Sequence, residues 1–184
     1  MTKQRTSLSD PLYVDWLAGI TSGRVGITIA PGKQSTSLYV HDFVWSRDLA
    51  VDLDKLVSLG ATDLVTLLEE QDITRLAIPG LFNQARARGL RTHHLPIVDR
   101  NVPEHEAPLL DLLTMLRQRL DEGASVVIHC EGGLGRSGVV AGCLLLSLGT
   151  SLTQTQQYLR QARGPNCPET PGQRAYLEMF AARP

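Results

Sequence analysis

Apolar residues along this chain switch between a strand-like and a helix-like spacing several times, and each switch marks an element. "RVGITIA", residues 24–30, alternates small and β-branched residues and stops at Pro31-Gly32, which predicts a strand running into a turn. In "SRDLAVDLDKLVSLG", Leu49, Leu53, Leu56 and Val57 recur at helical spacing and Gly60 closes the helix. "TDLVTLL" reads as a buried strand, and "PGLFNQARARGL" as a helix opened by Pro79 and closed by Gly89. "RTHHLPIV" gives the next strand. "PEHEAPLLDLLTMLRQRLDEG" gives a long amphipathic helix begun by Pro103, with Glu104 in its first turn, and stopped at Gly123. The apolar run "SVVIH" is another strand, followed by helix "RSGVVAGCLLLSLG" and helix "SLTQTQQYLRQARG", the latter with Ser151 as N-cap.

This alternation predicts an α/β fold: one domain, with a mostly parallel central sheet flanked by helices and its ligands at the carboxyl ends of the strands. Residues 1–15 read as a polar N-terminal extension, loose at its start, and residues 16–184 as the domain itself.

Length agrees with this, because 184 residues with 42% hydrophobic and 20% charged suit one core and leave no room for a second full domain. A formal net charge of −1 offers no basic field for nucleic acid or anionic lipid, although Arg86, Arg88, Arg91, His93 and His94 make one local cationic cluster. Cys130, Cys143 and Cys167 form no C-x-x-C pair, so neither a disulfide framework nor a zinc knuckle is indicated. Cys143 is expected in the helix core, and Cys167, between Asn166 and Pro168, on the surface. The N-terminus lacks an apolar signal core, and "GVVAGCLLLSLG" is too short to span a bilayer. The expectation is a soluble, cytoplasmic monomer that binds no nucleic acid and no membrane.

The chemistry concentrates in "SVVIHCEGGLGRSGVV", residues 125–140, which carries two motifs at once. Gly133, Gly135 and Gly138 spell the G-x-G-x-x-G of a dinucleotide turn, but the acid required about 20 residues further on is missing from "TQTQQYLRQARG". Cys130 to Arg136 spell C-x5-R. Glycines there let amides turn inward as an anion nest, strengthened by the dipole of the following helix. Arg136 supplies a planar fork for two phosphoryl oxygens, and such a ring of donors favours the thiolate of Cys130. Glu131, Gly132, Gly133, Leu134, Gly135 and Arg136 are thus the expected phosphate-binding residues. His129 is either scaffold or a tuner of the thiol. "APGKQS" is no phosphate loop, because Gly26 and Gly32 are wrongly spaced and Gln34 stands where Ser or Thr would bind magnesium.

With "HCEGGLGRSG" in place, the chain resembles the cysteine-dependent phosphatases of the tyrosine/dual-specificity superfamily, whose signature is His-Cys-x5-Arg-Ser/Thr. "GITIAPGK", "THHLPIVD" and "HCEGGLGRSGVVAGCLLL" are most similar to the kinase-associated phosphatase (cyclin-dependent kinase inhibitor 3) branch. The resemblance implies that residues 16–184 form a phosphatase catalytic domain in which Cys130 is the nucleophile and Arg136 the phosphate clamp. It further implies that Asp99 in "PIVDRNVPE" is the general acid, that Ser137 helps the thiolate leave, and that Gln173 in "ETPGQRAYL" orients the hydrolytic water. For Gln173 an exposed position opening the last helix is the alternative, and for Asp99 a turn ahead of Pro103.

The implied reaction is hydrolysis of phosphotyrosine, and of phosphoserine or phosphothreonine, on a protein or peptide through a phosphocysteine, with neither metal nor organic cofactor. A non-protein phosphoester (a phosphoinositide or an RNA 5′-phosphate), rhodanese-like or arsenate chemistry, and a non-catalytic phosphoprotein-binding module are the alternatives. Arg100 and Asn101 depart from the small residues expected after the acid in that branch.

Overall fold

The computed structural model describes residues 3–17, 21–36 and 43–183. Its elements are β1 (Lys3–Arg5), β2 (Asp15–Trp16), β3 (Arg24–Thr28), β4 (Gln34–Thr36), β5 (Phe43–Ser46), α1 (Leu49–Ser58) and β6 (Asp63–Thr66). They continue with α2 (Glu70–Arg75), α3 (Leu81–Ala87), β7 (Arg91–His94), α4 (Glu106–Asp121), β8 (Ser125–His129), α5 (Arg136–Ser147), α6 (Leu152–Arg163) and α7 (Pro171–Ala181).

The main sheet runs β2-β3-β8-β6-β7, parallel throughout except for the β2 edge. β8 lies at its centre and is buried along its whole length. Because side chains alternate across a strand, Val126 and Ile128 pack into one core with α4, α5 and α7, whereas Val127 joins the other core with α1 and α3. α5 is buried on all sides over its first ten residues, Arg136–Leu145. The helix after the C-x5-R loop is thus the interior pillar of the molecule, and its N-terminus points at the carboxyl edge of the sheet.

Several boundaries differ from the sequence reading. The N-terminal segment expected to lie loose is tied down: β1 pairs in parallel with β5, in a second sheet ordered β1-β5-β4. Ser7 Oγ accepts from Asp48 N, and Arg47 Nη1 donates to Asp10 O. The polar sequence concealed this because backbone pairing and a guanidinium stacked on Phe43, 4.0 Å from the ring centroid for Arg5, need no apolar pattern.

β7 stops at His94 because the register is lost beyond it: Leu95 N and Ile97 N still bond to Thr66 O and Leu67 O, two residues advancing against one, with Pro96 between them and its nitrogen on the outer edge of the sheet. α4 starts at Glu106, after the N-cap His105, so Glu104 lies outside the helix. α2 has no signal in the hydrophobic pattern, since "EQDITR" carries no apolar stripe; a capping box between Glu69 and Asp72 starts it.

The basic residues of "RARGLRTHH" mostly find separate partners. Arg88 pairs with Asp54 at 2.6 Å and His93 with Asp63 at 2.8 Å, while Arg86 bonds Asn83 and Thr92. Among the described residues no helix is long and apolar enough to cross a membrane.

Candidate active site

Residues 130–135 link the C-terminal end of β8 to the N-terminus of α5. The helix starts at Arg136, so its dipole and first free N–H groups face the same space as the loop. Cys130 is buried, with Sγ 3.4 Å from Ser137 Oγ. His129 is fully buried at the strand end, Nε2 2.8 Å from Thr66 Oγ1 and Nδ1 3.2 Å from Cys130 O. Burial pulls its imidazole down to about 4, so it holds the β6–β8 junction as a neutral ring.

Among the described residues Arg136 is the largest fully buried side chain, only 1% exposed. Its Nη1 donates to Asp72 Oδ2 at 2.6 Å and to Ile97 O at 3.1 Å. Its Nε and Nη2 are buried with no hydrogen-bond partner among the described residues. Nη2 does lie 3.0 Å from Asp99 Oδ1, as an ion pair. The guanidinium is therefore held from behind by Asp72 and Ile97, and its Nε and Nη2 form a fork with the geometry to take an oxyanion, with Asp99 beside it.

Sequence reasoning missed Asp72. Burial alone would raise its carboxyl, but hydrogen bonds from Arg136 and Arg75 outweigh that and leave it lowered. Arg75, one helical turn on in α2, bonds both Asp72 at 2.7 Å and Glu131 at 2.6 Å, so the acid of "EGGLG" is a buried tie between loop and helix. The available signal was chemical rather than periodic: a buried arginine needs a carboxylate behind it, and "EEQD" follows the neighbouring strand.

Asp99, Arg100, Cys130, Leu134, Gly135, Arg136 and Glu169 open onto one cavity of about 140 Å³. Asp99 is 55% exposed at its mouth. Arg100 follows with a left-handed φ of 62° and reaches Glu169 at 3.4 Å. The loop that carries Asp99 is fastened to the C-terminal helix by Gln173, whose Nε2 donates to Asn101 O at 2.9 Å while its Oε1 accepts from Thr170 N at 3.0 Å. Gln173 is fully buried rather than exposed, because Thr170 caps α7 and turns the first helical residues inward onto Gly135.

Cys143 lies in the α5 core as expected, but Cys167 is buried too, 2% exposed, with Sγ packed against Gly138 and bonded to Leu134 O at 3.3 Å. The glycine on α5 makes the room for it. Burial pushes both thiols up to about 12.

A family model, Cyclin-dependent kinase inhibitor 3, matches residues 10–158. The human protein of that name is 30% identical over 175 residues, covering 92% of this chain and 79% of its own length. Among solved structures, kinase-associated phosphatase with its catalytic-site cysteine replaced by serine superposes with a TM-score of 0.80 at 29% identity, over 95% of this chain and 98% of that one. Tk-PTP in its active form gives 0.69 at 30% identity, over 91% and 97%.

Proposed function

This chain belongs to the cyclin-dependent kinase inhibitor 3 family of cysteine-dependent phosphatases, and from that premise we propose that it hydrolyses phosphotyrosine, and phosphoserine or phosphothreonine, on protein substrates through a phosphocysteine. The observation that carries the reading is the Nε and Nη2 fork of Arg136, buried, without a hydrogen bond and opening onto the cavity that also holds Cys130 and Asp99. A buried fork with only the Asp99 carboxylate beside it matches a phosphoryl dianion, which would take both donors at once.

In the proposed reaction Cys130 Sγ attacks phosphorus, and the P–O ester bond breaks as the S–P bond forms. Arg136 and the loop amides take the equatorial oxygens. Binding of the phosphoryl group gives the Arg136 fork a new partner and frees Asp99, which delivers a proton to the leaving oxygen. In the second step Asp99 takes a proton from water, which attacks phosphorus, while Ser137 Oγ, 3.4 Å away, hydrogen-bonds to the departing thiolate. We place Gln173 beside that water, since its amide already lies against Gly135.

The test is a substrate panel with EDTA present: phosphotyrosine, phosphoserine and phosphothreonine peptides, a phosphoinositide, an RNA 5′-phosphate and nitrophenyl phosphate. Turnover of phosphotyrosine, detectable turnover of phosphothreonine and block by vanadate are expected. Strict dependence on added metal, or reaction of only the phosphoinositide or RNA, overturns the reading.

A further inference from the structure

A loop with glycine at positions 132, 133 and 135 can flip its peptide units at little cost, and every flip would aim a carbonyl oxygen at the bound phosphate. Something outside the loop must hold the orientation. In a trans peptide the C=O of one residue and the N–H of the next point in opposite directions, so a donor that pins a carbonyl outward also aims the following amide inward.

The carbonyls of residues 131, 132 and 133 are pinned by cations from two other parts of the chain. Glu131 O accepts from Lys33 Nζ at 3.4 Å and from Ala30 N at 3.1 Å. Gly132 O and Gly133 O accept from Nη2 and Nε of a single guanidinium, Arg163, at 2.8 and 2.6 Å. Arg163 ends α6 and is itself anchored on β2 by Asp15. Gly133 leaves room for this arrangement, because a Cβ there would fall 2.9 Å from Arg163 Nη2 and 2.5 Å from Thr28 O.

We propose that Lys33 and Arg163 are positioning residues of the oxyanion site, clamping its carbonyl side so that the amides of Gly132, Gly133 and Leu134 converge on the phosphoryl oxygens. Neither residue belongs to the Cys-x5-Arg motif and neither lines the cavity. Their charge adds to the geometry, since a cation on a carbonyl polarises the peptide and strengthens the N–H on its far side. Lys33 is buried over the Trp45 ring, 4.9 Å from its centroid, with Glu131, Cys130, Arg47 and Arg75 as its charged or titratable surroundings.

The proposal rests on the loop binding an oxyanion, and binding can be read apart from turnover. In the full chain, Arg163→Met, Arg163→Lys and Lys33→Met would be titrated with inorganic phosphate by calorimetry, beside KM, kcat and Tm. Arg163→Met is expected to weaken phosphate binding about 10-fold or more, and Lys33→Met several-fold. Arg163→Lys should fall between the wild type and the methionine variant, because one ammonium cannot hold two carbonyls in a fixed fork.

Leu64→Ala, in the core across the sheet, serves as a control that lowers Tm without touching the loop. Unchanged phosphate affinity in folded variants, or a loss that Leu64→Ala reproduces at equal Tm, overturns the clamp. Should Arg163→Met fail to fold, Arg163→Lys and Lys33→Met decide it. Phosphate binding without hydrolysis of any phosphoester would instead overturn the phosphatase reading and leave the clamp standing.

Discussion

Replacing Asp99 by asparagine keeps a turn-forming side chain and removes the proton, so the leaving group becomes the probe of its role. A general acid matters most for the basic alkoxide of serine or threonine and least for nitrophenolate. With peptide substrates kcat should fall on the order of 10²-fold, and by less with nitrophenyl phosphate. Equal losses with every leaving group would make Asp99 a turn residue. Glu104→Gln should do little, since that side chain is exposed and outside the α4 helix.

The thiols give a second prediction at this scale. Burial pushes Cys143 and Cys167 up to about 12, so brief iodoacetate treatment near neutral pH should label Cys130 first, as read by peptide mass spectrometry. His129 gives a third. Its folded value near 4 lies below the 6.5 of an unfolded histidine, so the unfolded chain binds the extra proton first. Its contribution is complete above pH 6.5 and is lost as pH falls toward 4. Urea denaturation across that window should show stability declining, by a slope that His129→Gln reduces.

Among the elements, α2 has an importance out of proportion to its six residues. It supplies Asp72 and Arg75 at i and i+3, and these connect Arg136 to Glu131 through an unbroken chain of charge-assisted bonds. Removing Asp72 strands a buried guanidinium, which typically costs about 3–5 kcal/mol when one partner of a buried pair is deleted. Asp72→Ala should therefore lower Tm sharply and raise KM, whereas Asp54→Ala, which breaks the exposed pair with Arg88, should change stability by about 1 kcal/mol or less. A comparable Tm for the two variants would mean that α2 supports nothing beyond its own turn.

At the scale of the whole molecule, two sheets and the N-terminal segment act together. β1 closes the small sheet, and Arg47 joins that segment to Asp52 at 2.7 Å, whose Oδ2 in turn holds Gly32 N at 2.8 Å next to Lys33. A truncation starting at residue 11 deletes β1, Ser7 and the Asp10 carbonyl that Arg47 uses. It should lower Tm by several degrees, given about 2–4 °C per kcal/mol for a chain of this size. An unchanged Tm would return the segment to the loose extension that its polarity suggests.

What the sequence by itself determined is local. The strand–loop–helix at "SVVIHCEGGLGRSG" follows from an apolar run, glycines and a helix start, and Cys130, Ser137 and Arg136 sit on that one segment. The alternation of periods likewise gave the parallel sheet, because a half-buried helix or a buried strand imposes its spacing on the chain. Only the tertiary structure decided what stands behind the loop. Asp72, Lys33, Arg163 and Asp15 come from 58 or more positions before it or about 30 after it, and none lies on an apolar stripe. Periodicity cannot report them, since polar side chains are buried by the partners they find and not by a pattern they carry. The same reason hid the pairing of β1 and the burial of Gln173 and Cys167, each fixed by a contact with a distant segment, whereas α2 was hidden because a local capping box and no apolar stripe starts it.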